Sequence, residues 1–132
     1  MNVFSLPDDV RMGAIHAVPA TPALLRAFYG DGPRPTLRGY VFMKDGEPIG
    51  VAGLKSEQGM QVLFSDTKPD ATISAMEKWR CAKMVMAACR TLTKPVFAMV
   101  ELGDFRSQKW IRSLGFGLVR ATAQGELYAW PC

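Results

Sequence analysis

The hydrophobic and polar positions divide the chain into short apolar runs bounded by turn residues, and stretches where apolar residues recur at three and four. Ala14 to Val18 reads as a first short strand, and the residues before it as an arm or another strand. Thr21-Pro22 is a helix start, with Thr at the N-cap and Pro at the first helical position. That helix carries Leu24, Leu25 and Phe28 inward and stops near Gly30, and Gly30 to Pro35 is a loop by composition. Leu37–Met43 and Pro48–Leu54 form a hairpin across Lys44-Asp45-Gly46-Glu47, because Asp-Gly supplies the left-handed backbone that tight hairpins prefer. Ser56 to Gly59 turns again, and Met60–Ser65 is the next strand. The longest helical run spans Ala71 to Leu92, with Asp70 as its N-cap and a capping box from Ser74 to Glu77. Ile73, Met76, Val85, Met86, Cys89 and Leu92 share one face of it, a Met-rich stripe that reads as core packing. Val96–Val100 is a strand of the buried type, Phe105–Ser113 a short helix, and Phe116–Thr122 with Glu126–Trp130 a closing hairpin.

This order predicts one mixed α/β (α+β) domain over residues 1–132, with residues 1–12 as a separable arm. Its mixed, mostly antiparallel sheet has a long helix after the fourth strand and a short helix before the C-terminal hairpin. No apolar run is long enough for a membrane helix, which needs about 18 residues. Met1 to Leu6 lacks the basic start and apolar stretch of a signal peptide, so the expected location is the cytoplasm or a particle assembled there.

The net charge of +4 is mild. It suits weak attraction to an anion, but without a dense Lys/Arg run or an aromatic-basic RNA-binding pattern, nucleic acid is not the expected partner. Cys81 and Cys89 on one helix stand about 12 Å apart, too far for a disulfide. His16 is the single histidine, so no metal is expected.

Two motifs carry a family resemblance. One is the hairpin Asp45-Gly46-Glu47-Pro48-Ile49-Gly50, continued to Gly53; the other is Leu114-Gly115-Phe116 after a strand and a short amphipathic helix. With the element order they resemble the GNAT (N-acetyltransferase) fold over about residues 13 to 130. Leu114 would seat the last helical turn, Gly115 would take the positive φ that ends the helix, and Phe116 would begin the next strand. Arg106, Lys109 and Arg112 would form the wet face of that helix, as Lys78, Arg80, Lys83 and Arg90 would for the long one. The run from Val100 to Phe116 further resembles a phrase of small GNAT-like proteins of tailed bacteriophages, one of them an internal virion protein. Val100, Ser107, Trp110, Leu114, Gly115 and Phe116 match it, while Glu101, Asp104 and Ile111 stand for related residues.

The resemblance implies a backbone cradle for the acetyl-CoA pyrophosphate at the start of the long helix, built from small residues. Asp66 to Ser74 occupies that place, with no glycine, a proline at 69, and carboxylates at 66 and 70 offset by Lys68 alone. The family's frequent tyrosine acid falls on Ile111, which carries no proton to donate. The expectation is therefore a GNAT-fold protein with a degenerate pyrophosphate loop, no cofactor, and no catalysis. It would be a phage-type structural, assembly or protein-interaction component with virion or assembly proteins as partners. The alternative is a divergent acetyl-CoA-dependent N-acetyltransferase. In that case Leu63, Phe64 and Ser65 would pair with the cofactor arm, Lys68, Ala71 and Thr72 would hold the phosphates, and Glu101 would be the base. A third reading makes the sheet edge or the apolar Trp110/Trp130 region a docking surface.

Overall fold

The computed structural model describes residues 10–12, 14–31, 37–92 and 94–131, without the side chains of 10–12. Eight strands and three helices follow in the order β1 (Val10–Met12), β2 (Ile15–Pro19), α1 (Pro22–Tyr29), β3 (Arg38–Lys44), β4 (Glu47–Glu57), β5 (Met60–Thr67), α2 (Ala75–Cys89), β6 (Val96–Val100), α3 (Phe105–Ser113), β7 (Gly117–Thr122) and β8 (Gly125–Trp130). They make one sheet in the spatial order β1-β2-β3-β4-β5-β6-β8-β7. All neighbours are antiparallel except β5 and β6. The predicted class holds with one strand more, because Val10–Met12 pairs with β2 and the long helix follows the fifth strand. The rest of the predicted arm, residues 1–9, and most of the predicted loop, 32–36, lie outside the described residues.

The sheet is buried on both faces at its centre. Successive side chains of a strand point to opposite faces, and β3 uses both. Tyr40 and Phe42 join Val85, Cys89, Val96 and Tyr128 in the core shared with α2 and α3. Val41, with Val51, packs under Leu25 and Phe28 of α1. Thr21 caps α1 by accepting the Leu24 N–H at 3.2 Å, and Gly30 ends it at φ 76°. Two-residue turns with both central φ positive close the β3–β4 and β4–β5 hairpins at Asp45-Gly46 and Gln58-Gly59.

Two irregularities of β4 matter below. Its pairing with β3 passes from Phe42↔Gly50 to Met43↔Pro48, which leaves Ile49 as an extra residue. The Ile49 carbonyl is free to accept the Lys68 N–H at 2.9 Å, tying the end of β5 to β4. Further along, Gly39 and Gly53 face each other, and a Cβ on Gly53 would fall on the Arg38 carbonyl oxygen and 2.6 Å from the Gly39 Cα. The glycine that closes the hairpin motif is thus required by the close approach of two backbones.

The long helix is shorter than its periodicity predicts, Ala75–Cys89 rather than Ala71–Leu92. Ser74, not Asp70, is the cap. Its hydroxyl accepts the Glu77 N–H at 3.1 Å while the Glu77 carboxylate accepts the Ser74 N–H at 2.9 Å. That reciprocal pair satisfies two backbone donors at once, which a lone aspartate four residues earlier does not do. The predicted stripe holds except at one position. Val85, Met86 and Cys89 are buried, and Ile73 and Leu92 pack against the same core, but Met76 is 59% exposed.

The closing motif does what its sequence suggests. Leu114 is the C-cap of α3, Gly115 turns the chain at φ 102° against the Trp130 indole, and Phe116 is 3% exposed in the core.

Candidate functional site

The parallel pairing of β5 and β6 lasts two residues, Gln61↔Val96 and Val62↔Phe97. Beyond it the strands part, while β5 stays paired to β4 as far as Thr67 and β6 to β8 as far as Val100. Two clefts open around this fork. The smaller, about 350 Å³, lies in the fork itself, between Leu63, Phe64 and Ser65 of β5 and Ala98 to Val100 of β6. The larger, about 710 Å³, lies between α2, α3 and the face of β4 and β5. Leu63, Ser65, Ser107 and Trp110 line both.

The larger cleft exists because of what the first half of α2 lacks. The residues of that half that line the cleft are Ala75, Lys78, Cys81 and Ala82, with Lys78 exposed at its rim. Small residues at the other three positions leave space that a leucine would fill. The extra residue Ile49 and its neighbour Gly50 both line the opposite wall. Across the gap, α2 and α3 meet through an edge-on contact of Trp79 and Trp110, with centroids 5.6 Å apart.

The basic residues of the two helices are exposed, as the sequence predicts, and three of them border the larger cleft. Lys78, Arg106 and Lys109 line the larger cleft. Arg112 lies over the Tyr128 ring at 5.5 Å, and Lys83 over Trp79 at 5.5 Å. Periodicity identifies these positions as polar. It does not reveal that a cavity lies beneath them, so the three cations of the cleft were missed.

The residues named from sequence separate into two groups. Leu63, Phe64 and Ser65 reach the fork. Lys68, Ala71, Thr72 and Glu101 line neither cleft. The Lys68 ammonium lies 5.0 Å from the Phe28 ring of α1. The Ala71 N–H donates to the Lys68 carbonyl at 3.1 Å. The Thr72 carbonyl accepts the Lys44 ammonium at 2.8 Å. Glu101 is exposed just past β6, and Ile111, at the family's tyrosine position, is 8% exposed in the core. Asp104 caps α3 by accepting the Ser107 N–H at 3.1 Å.

The segment from Asp66 to Glu77 is tied to the protein's own groups. The Tyr29 hydroxyl donates to Asp66 Oδ2 at 2.8 Å, and burial followed by that carboxylate raises the tyrosine's pKa. Lys44 stands 3.5 Å from Glu77 Oε1. The Ser74 N–H, then its hydroxyl and Lys44, hold the Glu77 carboxyl below its ordinary value of 4.5. A depressed folded pKa means stability that is present above 4.5 and lost as pH falls through the lowered value. Glu77→Gln is therefore expected to melt below the parent at pH 7, with the gap closing as pH falls below 4.5. A gap that stays constant across that range would remove the charge from this account.

Cys81 lines the larger cleft and Cys89 is fully buried; neither forms a disulfide. Burial pushes their thiols up to about 11 and about 12, which keeps both protonated near neutral pH. Among the described residues no group of His, Cys, Asp and Glu could hold a metal, and no helix is long and apolar enough to cross a membrane.

This sheet, forked between its one parallel pair, is the fold of the GNAT acetyltransferases. An acetyltransferase from Agrobacterium tumefaciens str. C58 superposes with a TM-score of 0.65 at 15% identity, covering 97% of this chain and 96% of its own. A protein from Bordetella pertussis named as a GnaT-family acetyltransferase gives 0.64 at 12% identity, covering 93% and 98%. RimL, a ribosomal L7/L12 alpha-N-protein acetyltransferase, gives 0.61 at 11% identity, covering 89% and 90%. No protein-family model and no curated protein matches the sequence. Similarity at this level defines the fold and leaves activity to the residues of the site.

Proposed function

We propose that this is a GNAT-fold protein that acts by binding rather than by acetyl transfer. One observation carries the reading: the N-terminus of α2, where the fold would seat the acetyl-CoA pyrophosphate, is capped by the protein's own carboxylate. Glu77 closes the capping box and Lys44 neutralises it. A helix N-terminus attracts an anion through free N–H groups and its dipole, and here the capping box uses the Ser74 and Glu77 N–H groups and sets an internal carboxylate beside them. Asp66 and the missing glycines act in the same direction. The residues present do not fit the cofactor at that seat. The resemblance of Val100 to Phe116 to tailed-phage proteins makes a virion or its assembly the proposed setting, with proteins of the particle as partners.

A second reading, a divergent N-acetyltransferase, is favoured by the intact fork and by Lys78, Arg106 and Lys109 beside it. Isothermal titration with acetyl-CoA separates the two. No saturable heat is expected from the folded protein. Saturation in the micromolar range would overturn the binding-only reading, and loss of acetyl transfer in Glu101→Gln would then test that residue as the base.

A further inference from the structure

We infer that the larger cleft is a binding site for a small amphiphile with one anionic head and an unbranched apolar tail, of which a medium-chain carboxylate is the simplest. The inference refines the binding role proposed above but does not depend on it.

The floor calls for an apolar body. Phe42, Ile49, Leu63 and Ile73 line the cleft together with Val85 and Met86 of α2, while Ala75 and Ala82, earlier on that helix, are too small to close it. Apolar surface left in water is unfavourable in proportion to its area. A volume of about 710 Å³ is that of a small-molecule site and is ample for a chain of about a dozen carbons.

The rim calls for a negative head. Lys78 comes from α2, Arg106 and Lys109 from α3, and all three are exposed where they line the cleft. The Trp79–Trp110 contact holds these two helices together at that end. One carboxylate, Asp66, also lines the cleft, and its Oδ2 already accepts the Tyr29 hydroxyl. The three cations thus outnumber the opposing charge, and the guanidinium of Arg106 offers paired donors to a carboxylate or phosphate. At the nearby helix N-terminus the Glu77 carboxylate sets a negative charge, so the cationic rim does not continue into a second phosphate seat. One head rather than a diphosphate is the complementary charge.

Trp110 lines the cleft and reports on its filling. Tryptophan fluorescence would be followed during titration of the whole protein with dodecanoate below its micelle concentration, with dodecanol as the neutral analogue. Acetyl-CoA would be titrated separately. Saturable one-to-one binding of dodecanoate is expected, weakened at least tenfold in Arg106→Glu/Lys109→Glu and weakened equally for dodecanol on the parent. Ala82→Phe, which fills the cleft from α2 without altering charge, should also abolish it, and serves if the double variant does not fold. Absence of saturation, equal affinity for dodecanol, or binding unaffected by either variant would overturn the inference. Saturation by acetyl-CoA alone would sink both this inference and the binding-only function. Saturation by both ligands would keep the site and overturn only that function, and saturation by neither would leave the function standing without the site.

Discussion

Phe116→Ala is expected to destabilise the protein by about 4 kcal/mol, and to lower its melting temperature by more than about 10 °C. The ring is 3% exposed and belongs to the same core as Tyr40, Val96 and Tyr128. It is also the first residue after the turn at Gly115, so its side chain fixes where the chain leaves α3 and enters β7. Truncation loses the transfer free energy of the ring and leaves a cavity that two elements would have to move to fill. Phe105, at the other end of α3, is 76% exposed, so Phe105→Ala should stay within about 0.5 kcal/mol of the parent. Thermal and urea melts of both variants test the contrast. A Phe116→Ala protein as stable as Phe105→Ala would mean that the closing motif does not anchor the sheet.

Gly53→Val should cost about 3 kcal/mol for a different reason. The Gly39–Gly53 pair brings β3 and β4 so close that the first side-chain carbon meets backbone rather than a movable side chain. Only a shift of a central strand relieves the clash, and that strand carries Val51 on one face and Leu54 on the other. Gly50 is the comparison within the same strand. A Cβ there meets the Asp66 carbonyl oxygen at 3.4 Å and the Phe42 ring at 3.7 Å, so Gly50→Ala should change stability by less than about 1 kcal/mol. Equal melting of the two variants would show that β3 and β4 can separate without loss.

The sequence spoke most clearly where a single residue type meets a local backbone demand. Asp45-Gly46, Thr21-Pro22 and Leu114-Gly115-Phe116 each mark a turn or a cap, and each lies where expected. The start of α2 was harder because Asp70 and Ser74 both satisfy the local rule, and only Glu77 at the third position after Ser74 decides between them. Met76 was misplaced: at 3.6 residues per turn it stands about half a turn from Val85, on the solvent face with Arg80 and Lys83. The strand Val10–Met12 is three residues long, too short for any pattern to declare itself. The fork between β5 and β6 left no mark either, since Met60 to Thr67 and Val96 to Val100 read as ordinary strands whether or not they stay together. The cations of the cleft depend on that fork, and so they became legible only with the topology.

The last strand of the sheet has its own irregularity. Along β7 the pairing passes from Leu118↔Tyr128 to Arg120↔Leu127, so Val119 has no partner in β8, and both Leu118 and Val119 are well exposed. An unbroken outer strand with such side chains would offer a neighbouring molecule a template for open-ended stacking. The extra residue interrupts the outward row of hydrogen-bonding groups midway, and Arg120 sets a charge beside the interruption. Leu118 and Val119 thus stand exposed at the end of the sheet without an unbroken edge for a neighbouring strand to extend.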